Sequence, residues 1–172
     1  MEIALVNSTS IRIKGKHGTF IVDPPTSGSK TPADGILLLN GSSPSSYAVE
    51  GSRLTIVGPG EYEIAGIKVT TIGLTSDLVH TVRVDNIEVV IGSAEAIDKL
   101  HDKLNECHIV VVRVNDSSAQ AAITALAPRV VVFYGTKAQD EAKNIGKEVK
   151  EVNKYAVTSD KLPADMEVVV LG

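Results

Sequence analysis

The chain is poor in the residues that carry many kinds of chemistry. Its 172 residues include one cysteine, four histidines, no tryptophan and 3% aromatics. The lone Cys107 cannot close an intramolecular disulfide, and its place just ahead of the apolar run Ile109 to Val114 suits a small hydrophobe better than a nucleophile. With few aromatic rings there are few platforms for stacking bases or sugars. A formal net charge of −4 gives no electrostatic footprint for a phosphate backbone. Nucleic acid is therefore excluded as a default partner. No segment approaches the roughly 20 apolar residues of a membrane span. The run Met1 to Asn7 has no basic leader, so no membrane partner is expected and the chain reads as cytoplasmic. Asn-Xaa-Ser/Thr triplets beginning at Asn7, Asn40 and Asn115 accordingly read as turns rather than glycosylation sites.

What is present points to one α/β domain spanning residues 1–172, because 43% hydrophobic and 22% charged residues supply an ordinary core without a linker, repeat or biased tail. The first half alternates as strands do. Ser10 to Lys14 and Thr19 to Asp23 flank Gly15-Lys16-His17-Gly18 as a hairpin that Asp23-Pro24-Pro25 ends. Leu54 to Val57 follows, then Tyr62 to Ile64 with Ile67 to Ile72 turning at Ala65-Gly66, then Val79 to Val84 with Ile87 to Ile91 turning at Asp85-Asn86. Beyond Ser93 the period changes. Ile97, Leu100 and Leu104 recur at helical spacing behind Ser93 as N-cap, with Glu95 suiting the first turn. Asp116 or Ser117 is expected to cap a second helix that Pro128 stops, and a third is expected from about Ala138 to Gly146. The strands between are Ile109 to Val114, Val130 to Tyr134, Val152 to Val157 and Val168 to Leu171.

One segment looks emptied of chemistry. Ile36 to Leu39 is a buried apolar run that feeds directly into Asn40-Gly41-Ser42-Ser43-Pro44-Ser45-Ser46-Tyr47, small polar residues at the end of a core strand, where functional loops commonly sit. Downstream, Gly58-Pro59-Gly60-Glu61-Tyr62-Glu63-Ile64-Ala65-Gly66-Ile67 resembles a segment of the metallo-β-lactamase superfamily, in particular compact Zn-dependent hydrolases similar to ascorbate-6-phosphate lactonases. Asn7 to Gly15, Ile21-Val22-Asp23-Pro24 and Ala127-Pro128-Arg129-Val130-Val131-Val132 resemble further segments of those proteins in the same order. The resemblance covers most of the chain and implies a four-layer αββα sandwich with a site where loops meet at one edge of two sheets. Within it, Glu61 and Glu63 take a structural role in a hairpin.

Such relatives place one or two divalent metal ions on His and Asp ligands, lowering the pKa of a bound water. Laid over this chain, the four ligand positions of their loop fall at Asn40, Ser42, Pro44 and Ser45, the bridging Asp at Ser93, the late His at Tyr134 or Gly135, and the early His at Asn7. Amides and hydroxyls are weak zinc ligands and Pro44 has no donor atom. The resemblance therefore implies vestigial positions, no metal and no cofactor. His17, His80, His101 and His108 are dispersed and are read as surface or edge histidines. A Ser/His/Asp reading with His80 and Asp77 lacks a nucleophile elbow. The resulting expectation is a metal-free pseudoenzyme that serves as a binding, regulatory or structural module for an unidentified protein or small molecule. The alternative is a metal-dependent hydrolase of a phosphoester, lactone or thioester using the same pocket by another route. A homodimer is expected from Val168-Val169-Val170-Leu171 as an edge strand.

Overall fold

In the computed structural model, which describes residues 1–41, 46–74 and 76–172, the apolar alternation of each strand divides its side chains between two faces. The chain runs β1 (Glu2–Asn7), β2 (Ser10–Lys14), β3 (Thr19–Val22), β4 (Thr31–Pro32), β5 (Gly35–Leu37), β6 (Val49–Glu50) and β7 (Leu54–Ile56). A longer series follows: β8 (Gly60–Ile64), β9 (Ile67–Leu74), β10 (Asp77–Val84) and β11 (Ile87–Ser93). Then come α1 (Ala94–Leu100), β12 (Ile109–Arg113), α2 (Gln120–Ala125), β13 (Val130–Tyr134), α3 (Ala138–Asn144), β14 (Val149–Val152), β15 (Lys154–Ala156) and β16 (Glu167–Leu171).

Six strands in the order β15-β1-β2-β3-β5-β7 make the first sheet, and eight in the order β14-β16-β13-β12-β11-β10-β9-β8 make the second. The expected hairpins are all present. The two later turns carry positive φ at Ala65 (53°) and Gly66 (75°), and at Asp85 (52°) and Asn86 (65°), the backbone that tight two-residue hairpins need. From β11 through β12, β13 and β16 to β14 the pairing is parallel, with helices in the connections.

Two apolar layers follow from this arrangement. Between the sheets, Ile11, Ile13, Phe20 and Leu37 meet Val82, Val89, Val111 and Val132, all buried. On the far side of the second sheet, Val90, Val110, Val112 and Phe133 are covered by Ile97, Ala122, Ile123 and Ala142 of the three helices. Each fully buried branched side chain contributes about 1.5–3 kcal/mol. Ile21 and Ile36, out of phase with the inter-sheet residues of their own strands, are buried on the other side of the first sheet. Arg12, which alternates with Ile11 and Ile13, shares a groove on that side with Pro32 and Glu50 of the small β4–β6 ribbon. Among the described residues this ribbon and its coils, rather than a helix, supply the outer cover there.

Three local expectations change. The second helix starts at Gln120 with Ala119 at its N-cap, not at Asp116 or Ser117; Glu141 of α3 fixes this start, its Oε1 accepting from the N-cap N–H of Ala119 (3.0 Å) and from the hydroxyl of the preceding Ser118 (2.7 Å). The stretch read as one strand from Val152 to Val157 is split at Asn153, with β14 on the edge of one sheet and β15 on the edge of the other. Val168 to Leu171 lies in β16, paired on both sides by β13 and β14, so it is not the edge strand that motivated the dimer expectation. No helix among the described residues is long and apolar enough to cross a membrane.

Candidate functional site

Strand parity carries three side chains to one place. Ile87, Val89 and Ile91 of β11, Ile109 and Val111 of β12, and Val130 and Val132 of β13 all face the inter-sheet core. Two residues further along each strand come Ser93, Arg113 and Tyr134, and these are register neighbours: Ser93 pairs with Arg113 and Arg113 with Tyr134. The row lies at the carboxyl ends of parallel strands, the usual ligand end of an open α/β sheet.

From the first sheet, Asp23 meets this row. It follows β3 at a positive φ of 45°, and its N–H donates to the Leu37 carbonyl (3.0 Å). Its Oδ1 accepts from the Leu39 N–H (2.9 Å), and its Oδ2 forms an ion pair with Arg113 Nη1. The pair is largely withdrawn from solvent, with 15% of the Asp23 side chain and 19% of the Arg113 side chain exposed. Burial pushes the Asp23 carboxyl above its usual range, against the pull of the guanidinium and the Leu39 N–H. Tyr134 is fully buried, which pushes its phenol far above the usual value, and the Asp23 charge adds to this. Its hydroxyl and Arg113 Nε are buried without a hydrogen-bond partner among the described residues.

The end of the apolar run ahead of Asn40 is fastened on every side. The Leu38 N–H donates to Ile56 O (3.2 Å) and the Leu78 N–H to Leu39 O (3.0 Å). His80 Nε2 lies 2.8 Å from Leu38 O, and its Nδ1 lies 2.8 Å from Thr71 Oγ1. A carbonyl only accepts, so Nε2 carries the proton and Nδ1 accepts from the threonine hydroxyl. Burial pulls the His80 pKa down to about 4. His80 is thus a fully buried cross-sheet tie, not the surface or edge histidine expected. The other three fit that reading better. His17 is exposed, His101 Nδ1 lies 2.7 Å from Asp98 O, and His108 Nδ1 accepts from the Glu88 N–H at 3.0 Å.

A cleft of about 190 Å³ opens over the row. Asn40, Ser93 and Arg113 contribute to its lining, with Asn115, Asp116 and Ser117 from the turn after β12. Asp77 and Glu95 complete one wall, both bound by Lys99 Nζ at 3.2 and 2.7 Å. Ser93 Oγ accepts from the Ala96 N–H (3.1 Å), so its hydroxyl serves as the N-cap of α1. The structure thus brings Asn40 and Ser93 to the cleft and Tyr134 to the buried row beside Arg113. Gly135 adopts φ 105°, and a Cβ there would come 2.6 Å from Val114 O. A histidine at 135 would require the backbone to move. Ser42, Pro44 and Ser45 lie outside the described residues. Glu61 and Glu63 are exposed in the β8–β9 hairpin.

These side chains do not suit a divalent metal. Among the described residues no three His, Cys, Asp or Glu side chains converge to hold one. The donors in the row are a capped hydroxyl and a buried phenol, and a guanidinium sits among them. The one cysteine is not an activated nucleophile, since burial raises the Cys107 thiol to about 12 and leaves it in the helix-side core. Sequence reasoning missed Asp23, Arg113 and His80. Arg113 was signalled only as a lone charge inside the apolar run Ile109 to Val114, and His80 by its parity with Val82 and Val84.

The arrangement of two facing sheets with this edge cleft is the metallo-β-lactamase fold. Over 99% of this chain and 97% of the other, it superimposes on a Thermotoga maritima protein described as a Zn-dependent hydrolase of the metallo-β-lactamase superfamily, with TM-score 0.78 and 17% identity. A protein described as a metal-dependent hydrolase from Parabacteroides distasonis aligns with TM-score 0.60 and 14% identity over 96% of this chain and 91% of its own. CmlA, a diiron β-hydroxylase from Streptomyces venezuelae, aligns with TM-score 0.58 and 11% identity over 99% of this chain and 53% of its own. No protein-family profile matches the chain. No curated protein sequence matches it either.

Proposed function

We propose that this protein is a metal-independent binding module on a metallo-hydrolase-like fold, with the cleft at Asn40, Ser93 and Arg113 as its ligand site. The observation that carries the reading is the Ser93–Arg113–Tyr134 row, in which a guanidinium paired with Asp23 stands among the positions assigned to lost ligands. The guanidinium takes up the row's carboxylate partner, Asp23, and the hydroxyls of Ser93 and Tyr134 on either side make poor metal ligands. The cleft's volume and its amide, hydroxyl and carboxylate lining suit a small polar molecule better than an apolar peptide.

Elemental analysis of the purified protein, joined to a thermal-shift screen of small polar metabolites, tests this. We expect no stoichiometric zinc, manganese or iron, and a stabilising compound whose effect is lost in N115L, which removes an amide from the cleft wall. One tightly bound metal ion per chain would overturn the reading, as would chelator-sensitive turnover of a phosphoester, lactone or thioester.

A further inference from the structure

The feature that reaches furthest is the place of the Arg113 charge. Its strand neighbours in register are Ser93 and Tyr134, and its guanidinium pairs with the Asp23 carboxylate presented by the opposite sheet. That same carboxylate receives the Leu39 N–H, one residue before the cleft-lining Asn40. The positive charge therefore sits between the two sheets, in contact with a loop carboxylate and beside two positions read from the sequence as former ligands. A bound ion at the mouth of this sandwich would occupy the same electrostatic place and draw the same loops together.

We propose that Arg113 is the resident cation of this site, a side chain that holds the position of a divalent ion and excludes one. Loss of ligands and gain of the guanidinium are then parts of one exchange. A carboxylate restored at position 93 would find a positive partner already in register beside it, and would pair with Arg113 instead of recruiting a metal. Aspartate serves as a helix N-cap as well as serine does, so this substitution leaves the start of α1 served. Removing the guanidinium at the same time would leave two carboxylates, Asp23 and the new one, with no cation. Oxygen donors of that kind suit a hard ion such as Mn²⁺.

Thermal denaturation of the whole chain, with and without Mn²⁺, separates the outcomes. S93D should melt above S93N, its uncharged counterpart, because the new carboxylate pairs with Arg113. Neither S93D nor the unsubstituted protein should respond to Mn²⁺. S93D/R113Q should melt lower than S93D and recover by about 2–4 °C, the shift expected for about one kcal/mol in a domain of this size, when Mn²⁺ is added. Equal Mn²⁺ responses in S93D and S93D/R113Q, including no response in either, would overturn the proposal. If S93D/R113Q does not fold, the comparison of S93D with S93N still decides: S93D melting at or below S93N overturns it. This inference deepens the binding-module reading, and the two fail separately, because an empty metabolite screen bears on the cleft's ligand and these melts bear on the guanidinium.

Discussion

At the scale of single residues, His80 sets a pH dependence. It is buried, neutral and bonded through both ring nitrogens, and burial holds its pKa at about 4 against 6.5 for a free histidine. The unfolded chain binds a proton more readily than the native one, so the stabilisation is complete above pH 6.5 and is lost as pH falls towards 4. The shift corresponds to about 3 kcal/mol. Urea unfolding of the natural protein should therefore lose about that much more stability than H80Q between neutral pH and about pH 4. Parallel pH profiles for the two proteins would remove His80 as the cause. H80Q should also be less stable at neutral pH, because the ring links Thr71 of one sheet to Leu38 of the other.

At the scale of elements, the short helices depend on side chains at their starts. Ser93 caps α1 from within its own segment, so the sequence showed it: a hydroxyl residue just ahead of Ile97 and Leu100 at helical spacing. The start of α2 was not legible, since its cap is Glu141, 22 residues beyond Ala119. Glu141 is 4% exposed and also holds Ser118 and, through Oε2, the Asn144 amide (3.4 Å). Hydrogen bonds to a charged group contribute about 1.5–3 kcal/mol, so E141A should cost at least about 2 kcal/mol. S93A should cost about 1 kcal/mol, the usual value of a lost cap. Chemical denaturation of both variants checks the order, and E141A as stable as S93A would mean that Ala119 finds another acceptor. The same contrast governs the site. Asn40 and Ser93 were singled out through the family resemblance, and both line the cleft. Asp23 and Arg113 lie 90 residues apart, and nothing in either neighbourhood announces the other.

At the scale of the whole molecule, alternation in β2, β3 and β8 to β11, with apolar runs at β12 and β13, contains most of the architecture. What it conceals is the choice of sheet. Val152 to Val157 reads as one continuous strand, yet β14 adds to β16 while β15 adds to β1, with only Asn153 between them. The Met1 carbonyl then receives the Val157 N–H (3.1 Å), and the Gly172 N–H reaches Val152 O (3.3 Å). This hand-over acts as a clasp. Outermost strands usually fray independently, each exchanging its amide hydrogens at its own rate. Here one outer strand cannot lift without dragging the single residue that tethers the other, so the two margins of the sandwich open together. Deuterium labelling should show the amides of β14 and β15 exchanging with a common opening rate. Inserting a flexible glycine-serine spacer after Asn153 should let each margin exchange at its own pace while the central strands β12 and β13 remain protected.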